Sequence, residues 1–315
     1  MITVVGDIIV DKYLYCRTRR RNPEHDRGYA YQVSSVKHRC GGASAVAMIC
    51  RKMDCEVALC GVVGDDPAGR WLRRTIRAHG IRDHVWVDLD CRTVIKQRVV
   101  YGLAVLEDRI DFDDQYAALE ASDIPVANNG IIVVSDYGKG TVSPALMAHL
   151  QRKAARVNAR ILVDPAKCSD WRKYAPCELI KCNRSQATRV LAELGVAVGD
   201  DHDAASIVQT LDESLPHDML IRSLVVTDGP HGVAWKYRRD AIAHSARSTL
   251  PITPIDVCGA GDTVIATLAA AFGRGWSLPD ACAAAIRTAT AQVQTIGIGP
   301  VPLPERFTRT LTKAQ

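Results

Sequence analysis

At 315 residues and 47% apolar side chains, the chain can bury a full core as one large α/β domain or two small ones. No stretch approaches the ~20 continuous apolar residues of a membrane helix, and residues 1–10 lack the basic segment and cleavage site of a secretion signal. A cytoplasmic protein is expected. The net charge of +5 is mild, and the one dense basic run, Arg17-Thr18-Arg19-Arg20-Arg21, lacks the interleaved aromatics of single-strand binders, so it reads as a solvated face without nucleic acid.

Along the chain, apolar runs bounded by Gly, Pro or Asp alternate with amphipathic segments. Strands are expected over 2–5, 57–60, 131–134, 161–163 and 224–226, and helices over 43–52, 68–78, 144–157 and 264–272. Such alternation predicts βαβ units, a mostly parallel sheet with helices on both faces, and ligands at the carboxyl ends of the strands. Residues 13–39 and 85–110 show strand character with no helix between, which predicts a small antiparallel lid beside the sheet. No repeat or linker marks a boundary, so residues 1–315 read as a single domain. The eleven cysteines are odd in number and spread without a C-x-x-C pair, and they read as reduced, mostly buried side chains rather than zinc ligands or a disulfide framework.

The run Asp256-Val257-Cys258-Gly259-Ala260-Gly261-Asp262-Thr263 leads straight into an Ala- and Leu-rich helix. Gly259, Ala260 and Gly261 fall where the unpaired N–H groups of the first turn and the positive end of the helix dipole favour an anion. Asp262 in the same turn is either a helix cap or a base set beside that anion, and the motif alone leaves both open. Thr227-Asp228-Gly229-Pro230-His231-Gly232 reads by itself as a hairpin turn. No G-x-x-x-x-G-K-[ST] or strand-linked G-x-G-x-x-G occurs, which argues against a P-loop or dinucleotide enzyme.

Read in order, Val4-Val5-Gly6-Asp7 with Asp11, Gly41-Gly42-Ala43-Ser44, Gly61-Val62-Val63-Gly64-Asp65-Asp66, Ser135-Asp136-Tyr137-Gly138-Lys139-Gly140, Leu162-Val163-Asp164-Pro165, Asn183, the TDGPHG turn and the GAGD run resemble the ribokinase-like (PfkB) carbohydrate kinases over nearly the whole chain. Within that family, GDIIVDKYLY and SDYGKG are most similar to the kinases acting on D-glycero-D-manno-heptose 7-phosphate. The resemblance implies a ribokinase-like fold, ATP and Mg²⁺ as cofactors, and a lid that covers the sugar and pairs with a second subunit as a homodimer. It leaves a monovalent-cation requirement open.

By the same resemblance, Asp262 takes a proton from the acceptor hydroxyl and Gly259, Ala260 and Gly261 steady the transferring phosphoryl group. Asn183, Thr227, Gly229 and Gly232 match the nucleotide side. Asp11, Gly41, Gly42 and Ser44 match the sugar side, although Asp11 alone would read as a strand-end cap. Lys96 and Arg98 alternate with apolar neighbours on one face of a lid strand, either near the acceptor or as solvated charges.

Several positions depart from the pattern. Ala45 stands where the family has a sugar-contacting Asn, and Ile286 where heptose kinases have another Asn. The N-x-x-E signature, whose Glu helps organise magnesium, reads Asn183-Arg184-Ser185-Gln186, leaving Asn183 and Gln186 as weak metal candidates. The lid run reads Asn22-Pro23-Glu24-His25-Asp26-Arg27-Gly28. The expectation is an ATP-dependent sugar or sugar phosphate kinase, foremost a heptose 7-phosphate 1-kinase without the nucleotidyltransferase domain fused to some relatives. The alternatives are a kinase for another sugar or a nucleoside, and a catalytically weak sugar- or nucleotide-binding regulator.

Overall fold

A computed structural model describes residues 1–24, 28–102, 104–119, 124–167, 170–199, 201–238, 240–247 and 253–297. The chain runs β1 (Ile2–Gly6), β2 (Ile8–Arg21), β3 (Tyr29–Gly42), α1 (Ala43–Lys52), β4 (Val57–Gly64), α2 (Pro67–Ala78), β5 (Arg82–Asp88), β6 (Val94–Tyr101) and β7 (Ala104–Phe112). It continues with β8 (Ile131–Ser135), α3 (Pro144–Val157), β9 (Arg160–Asp164), β10 (Cys177–Asn183), α4 (Arg184–Glu193), α5 (Ala204–Ser214) and β11 (Ile221–Thr227). β12 (Val233–Tyr237), β13 (His244–Ala246), α6 (Ala260–Gly273) and α7 (Leu278–Gln292) complete it.

The main sheet has the order β13-β12-β11-β10-β9-β8-β1-β4-β5. It is parallel from β5 to β11 and turns antiparallel at β12 and β13. The pleat sends successive side chains to opposite faces, and both faces are covered, which is why the central strands β1, β4 and β8 are buried along their whole length. Val4, Val133, Leu162 and Leu179 join a core with α1, α2, α6 and α7. Val5, Val134, Val163 and Ile180 join the other core, with α3, α4 and α5. Every residue of α6 from Asp262 to Phe272 is buried, because the helix lies between the sheet and its neighbours α1 and α7. Burial of Ile265, Leu268 and Phe272 contributes about 1.5–3 kcal/mol each and holds the first turn of α6 rigidly against the strand ends.

A second sheet, β3-β2-β6-β7, forms the lid. Its outer pairings, β2–β3 and β6–β7, are antiparallel, but β2 and β6 run parallel in the middle. The expected lid bounds need correction. Val85 to Asp88 belongs to β5, the edge of the main sheet, since its alternating apolar residues pair with β4, and the second lid segment begins at Val94. β2 starts as early as Ile8 and β3 ends only at Gly42. Within the expected lid segments, residues 25–27 and 103 lie outside the described residues, as does Cys168 among the cysteines. The other cysteines are free thiols, most of them buried. Among the described residues no helix is long and apolar enough to cross a membrane.

Candidate active site

In-register pairing lines up Gly6, Ser135, Asp164 and then Lys181 toward the carboxyl ends of β1, β8, β9 and β10, with Asn183 and Thr227 paired beyond them. The start of α6 docks on this row. Gly259 caps the helix with φ 79°, a left-handed conformation that favours glycine, so the chain can reverse direction and enter the helix within one residue. A Cβ placed on Gly261 would stand 3.0 Å from the Lys181 ammonium, so the open helix turn and a buried cation face the same small space. Lys181 thus adds a positive charge beside the helix turn where the GAGD run favours an anion.

Asp262 sits in this turn, 6% exposed. Burial away from water, reinforced by the negative charge of Asp164, raises its pKa from 3.8 to about 7, against the hydrogen bond from Tyr137 and the charge of Lys181, which lower it. A carboxyl poised near neutrality suits a general base. Its side chain does not cap the helix: Oδ1 accepts a hydrogen bond from the Tyr137 hydroxyl at 2.9 Å. Lys181 donates to Asp164 Oδ2 at 2.8 Å. Burial raises the pKa of Asp164 while the paired Lys181 opposes the rise.

Asp11, 6% exposed, enters from β2. Its Oδ1 is paired with the Arg98 guanidinium, and Oδ2 faces Cys258 at 3.9 Å, so the acceptor side and the GAGD run meet at this carboxylate. Gly41 must be glycine, because a Cβ there would lie 2.5 Å from Asp11 Oδ2. Gly42, at φ 56°, ends β3 and starts α1. Lys96 pairs in register with Asp11, and its ammonium lies 4.7 Å from the centre of the Tyr137 ring. Burial lowers its pKa, with the charge of Asp11 opposing. Arg39, opposite Asp11 on β3, and Arg98 both approach the buried Tyr13 ring, at 5.6 and 5.7 Å. The Tyr13 hydroxyl in turn donates to Asp256 at 3.0 Å.

Other expected residues are committed elsewhere. The Ser44 hydroxyl donates to the Gly41 carbonyl at 2.8 Å and is fully buried, so it braces the turn. Ala45 is buried too and offers no polar atom. Asn183 and Gln186 form a capping box on α4, and the Gln186 amide also donates to the Pro165 carbonyl at 2.7 Å. Their polar atoms close a helix end, and no group of three or more potential metal ligands exists among the described residues. Ile286 packs in the core. Arg17 and Arg19 to Arg21 lie on the far end of β2, mostly exposed, with Arg19 stacked 3.6 Å over Tyr29; the basic run does not reach the site.

At the turn expected to face the nucleotide, Thr227 ends β11, and the short turn Gly229–His231 leads to Gly232 and β12. Gly232, at φ 100°, brings this hairpin so close to Ala246 that a Cβ would meet its carbonyl at 2.2 Å. Asp228 in the turn accepts from Arg184 at 3.1 Å. A separate cleft of about 560 Å³ opens at the other end of β11 and β12. Its Lys236 and Arg238 are paired with Asp212, at 3.0 and 2.7 Å, so its charges brace α5.

Sequence reasoning missed Lys181, Arg39 and the contacts of Tyr137. A lysine between the apolar residues Ile180 and Cys182 of the strand Cys177–Asn183 was an available signal for the first, because a parallel strand buries such a charge only beside a partner.

With this geometry in view, comparison with known proteins becomes informative. The profile described as pfkB family carbohydrate kinase matches residues 1–306. This chain belongs to that family. The family is one of carbohydrate kinases. Among curated relatives, a protein named bifunctional protein HldE from Hydrogenovibrio crunogenus is 33% identical over 306 residues, covering 95% of this chain and 60% of the relative. The protein of the same name from Pseudomonas syringae pv. tomato is 33% identical over 311 residues, covering 96% and 62%. The chain thus spans about 60% of the length of these relatives.

Solved structures agree on the ribokinase-like fold. Arabidopsis thaliana ribokinase complexed with ribose and ATP superposes with a TM-score of 0.74 at 16% identity, covering 100% of this chain and 99% of the other. Phosphofructokinase-2 from Escherichia coli gives 0.74 at 15% identity, with 98% and 97% covered.

Proposed function

We propose that this carbohydrate kinase uses ATP to phosphorylate a hydroxyl of a sugar phosphate, with a heptose 7-phosphate and its 1-hydroxyl as the leading assignment. The observation that carries the reaction is Asp262, a buried carboxyl with a pKa near 7 in the first turn of α6, beside the Lys181 ammonium. In this reading Asp262 accepts the proton of the attacking hydroxyl. The N–H groups of Gly259, Ala260 and Gly261, together with Lys181, stabilise the charge on the transferring phosphoryl group, where positioning and electrostatics dominate. Thr227, Gly229 and Gly232 form the nucleotide loop. Magnesium, when bound, would supply neutralisation of phosphate charge; Asn183 and Gln186 are committed to the capping box of α4.

The phosphorylated acceptor is supported by charge. Lys96 and Arg98 both lie beside Asp11 on the lid, two cations placed where an acceptor phosphate could be met by charged hydrogen bonds. Ala45 supplies no hydrogen bond at its position, so the acceptor should make fewer side-chain contacts to its hydroxyls there. The test is ATP turnover with a panel of sugars, sugar phosphates and nucleosides, with and without Mg²⁺. Turnover greatest on heptose 7-phosphate is expected; a preference for an unphosphorylated sugar or nucleoside would overturn the acceptor assignment, and no turnover with any acceptor would support a regulator.

The lid cations divide the acceptor prediction further. Lys96→Ala should raise KM for the phosphorylated acceptor by about tenfold or more, the scale of a lost charged hydrogen bond, and change KM for its unphosphorylated analogue little. Arg98→Ala should impair both acceptors, because it leaves Asp11 buried without its partner. Steady-state kinetics on the two acceptors decide; equal losses on both in Lys96→Ala would remove the phosphate contact.

A homodimer formed through the lid is part of the same proposal. Its support is the apolar surface left on the two edge strands of the lid, with Val33 and Val36 on β3 and Ile110 and Phe112 on β7 each 45–53% exposed. A monomeric mass in solution by light scattering would reject it.

A further inference from the structure

We infer that Tyr137 is a positioning residue of phosphoryl transfer: its hydroxyl fixes Asp262 through Oδ1, leaves Oδ2 to take the acceptor proton, and its ring seats the lid lysine Lys96. The inference rests on the reading of Asp262 as the base.

Three groups of contacts carry it. The Tyr137 hydroxyl lies 2.9 Å from Asp262 Oδ1, and no hydrogen bond reaches Oδ2 among the described residues. A carboxylate held by one oxygen keeps a defined orientation for the other, which proton transfer requires. The other face of the contact is the lid, where the Lys96 ammonium rests 4.7 Å from the ring centre in cation–π geometry. One side chain thus touches both the base and the element that covers the acceptor.

The loop that carries Tyr137 is anchored to an unusual degree. Asp7 Oδ2 accepts from the backbone N–H groups of Tyr137 at 2.7 Å and Lys139 at 3.0 Å, and Oδ1 accepts from that of Thr141 at 3.2 Å. Asp136 is held by Lys173 and the Tyr174 hydroxyl, each at 2.7 Å, and itself accepts from Gly138 N–H at 2.8 Å. Two buried carboxylates are therefore committed to a single five-residue turn whose one aromatic side chain is Tyr137. A turn with only a connecting role needs no such bracing, whereas a side chain that must hold a base to within a fraction of an ångström does.

Groups facing Asp262 come from every neighbouring element: Asp164 from β9, Lys181 from β10, Asp11 from β2 and Tyr137 from the turn after β8. Of these, Tyr137 alone hydrogen-bonds its carboxylate, and a bond donated to a carboxylate favours the charged form. Removing the hydroxyl leaves burial and Asp164 less opposed, so protonation should persist to higher pH.

The experiment compares Tyr137→Phe and Tyr137→Leu with the unaltered enzyme, using the pH dependence of kcat/KM and KM for both substrates. Tyr137→Phe should lower kcat by about tenfold, the scale of one hydrogen bond to a charged group, and move the acid limb to higher pH. Both KM values should stay within about twofold, because the ring still seats Lys96. Tyr137→Leu should show the same limb and, in addition, a raised KM for the acceptor. An unmoved acid limb in Tyr137→Phe would overturn the inference, whether or not kcat falls, since a merely structural role would leave it in place. Failure of the underlying reading looks different: Asp262→Asn would then retain its turnover.

Discussion

Asp262→Asn should lower kcat by roughly 10²-fold or more while leaving KM for ATP nearly unchanged, because the amide keeps the shape and the Tyr137 contact but cannot accept the proton. The unaltered enzyme should lose kcat/KM as pH falls below about 7, where the carboxyl becomes protonated. Single-turnover rates and ATP binding, measured separately, distinguish a lost base from a lost binding site; a variant that keeps most of its rate would remove Asp262 from the chemistry.

The same substitution should also act on stability, in a direction opposite to its effect on rate. Asp262 has a native pKa near 7, above its ordinary 3.8, so between those values the native state holds a proton that the unfolded chain has released. Its contribution therefore falls as pH rises through that window and stays low above pH 7. A neutral Asn avoids the burial of charge. Thermal melts should place Asp262→Asn above the unaltered protein at pH 8, with the gain shrinking toward pH 4; a gain that grows on acidification would contradict the environment assigned to this carboxyl.

Lys181→Met should cost about 3–5 kcal/mol of stability and lower kcat as well, two effects that a second substitution can separate. The stability loss arises because Asp164 is left buried without the ammonium that now lies 2.8 Å away. The rate loss arises because the cation beside Gly261 no longer offsets phosphoryl charge. Adding Asp164→Asn to Lys181→Met removes the stranded charge and should recover much of the lost stability. It should not recover the rate. If denaturant unfolding and kcat were restored together, Lys181 would be a structural partner of Asp164 and nothing more.

How much of this was legible in advance depends on how local the cause is. The apolar strands, the helices that follow them and the parallel sheet were readable because each depends on the residues within one element. The helix start at Gly259 to Asp262 was readable for the same reason: small residues, a carboxylate and a helix occur in one unbroken stretch. The lid was readable only in outline. Residues 85–88, Val-Trp-Val-Asp, have the same strand character whether they join the lid or extend the main sheet, and only the pairing with β4 assigns them to β5.

Charge partnerships lay further from view. Nothing local says that Gln186 turns back to cap its own helix and bond Pro165, or that the basic run of Arg17 to Arg21 ends at the far tip of a 14-residue strand while Arg39, on the returning strand, approaches Tyr13 beside the acceptor side.

By itself, then, the sequence determined the outline of the elements, the fold and the family, and it singled out Asp262 as the candidate base, because all of these rest on patterns contiguous along the chain. Only the tertiary structure decided that Asp164, Lys181, Tyr137 and Lys96 surround the approach to Asp262, and that Arg98 answers Asp11. Those partners lie far apart along the chain, 125 positions for Tyr137 with Asp262 and 87 for Arg98 with Asp11, and a charge carries no local sign of its partner. They meet because parallel strands bring their carboxyl ends to one edge, where burial makes each pairing strong and each missing partner costly.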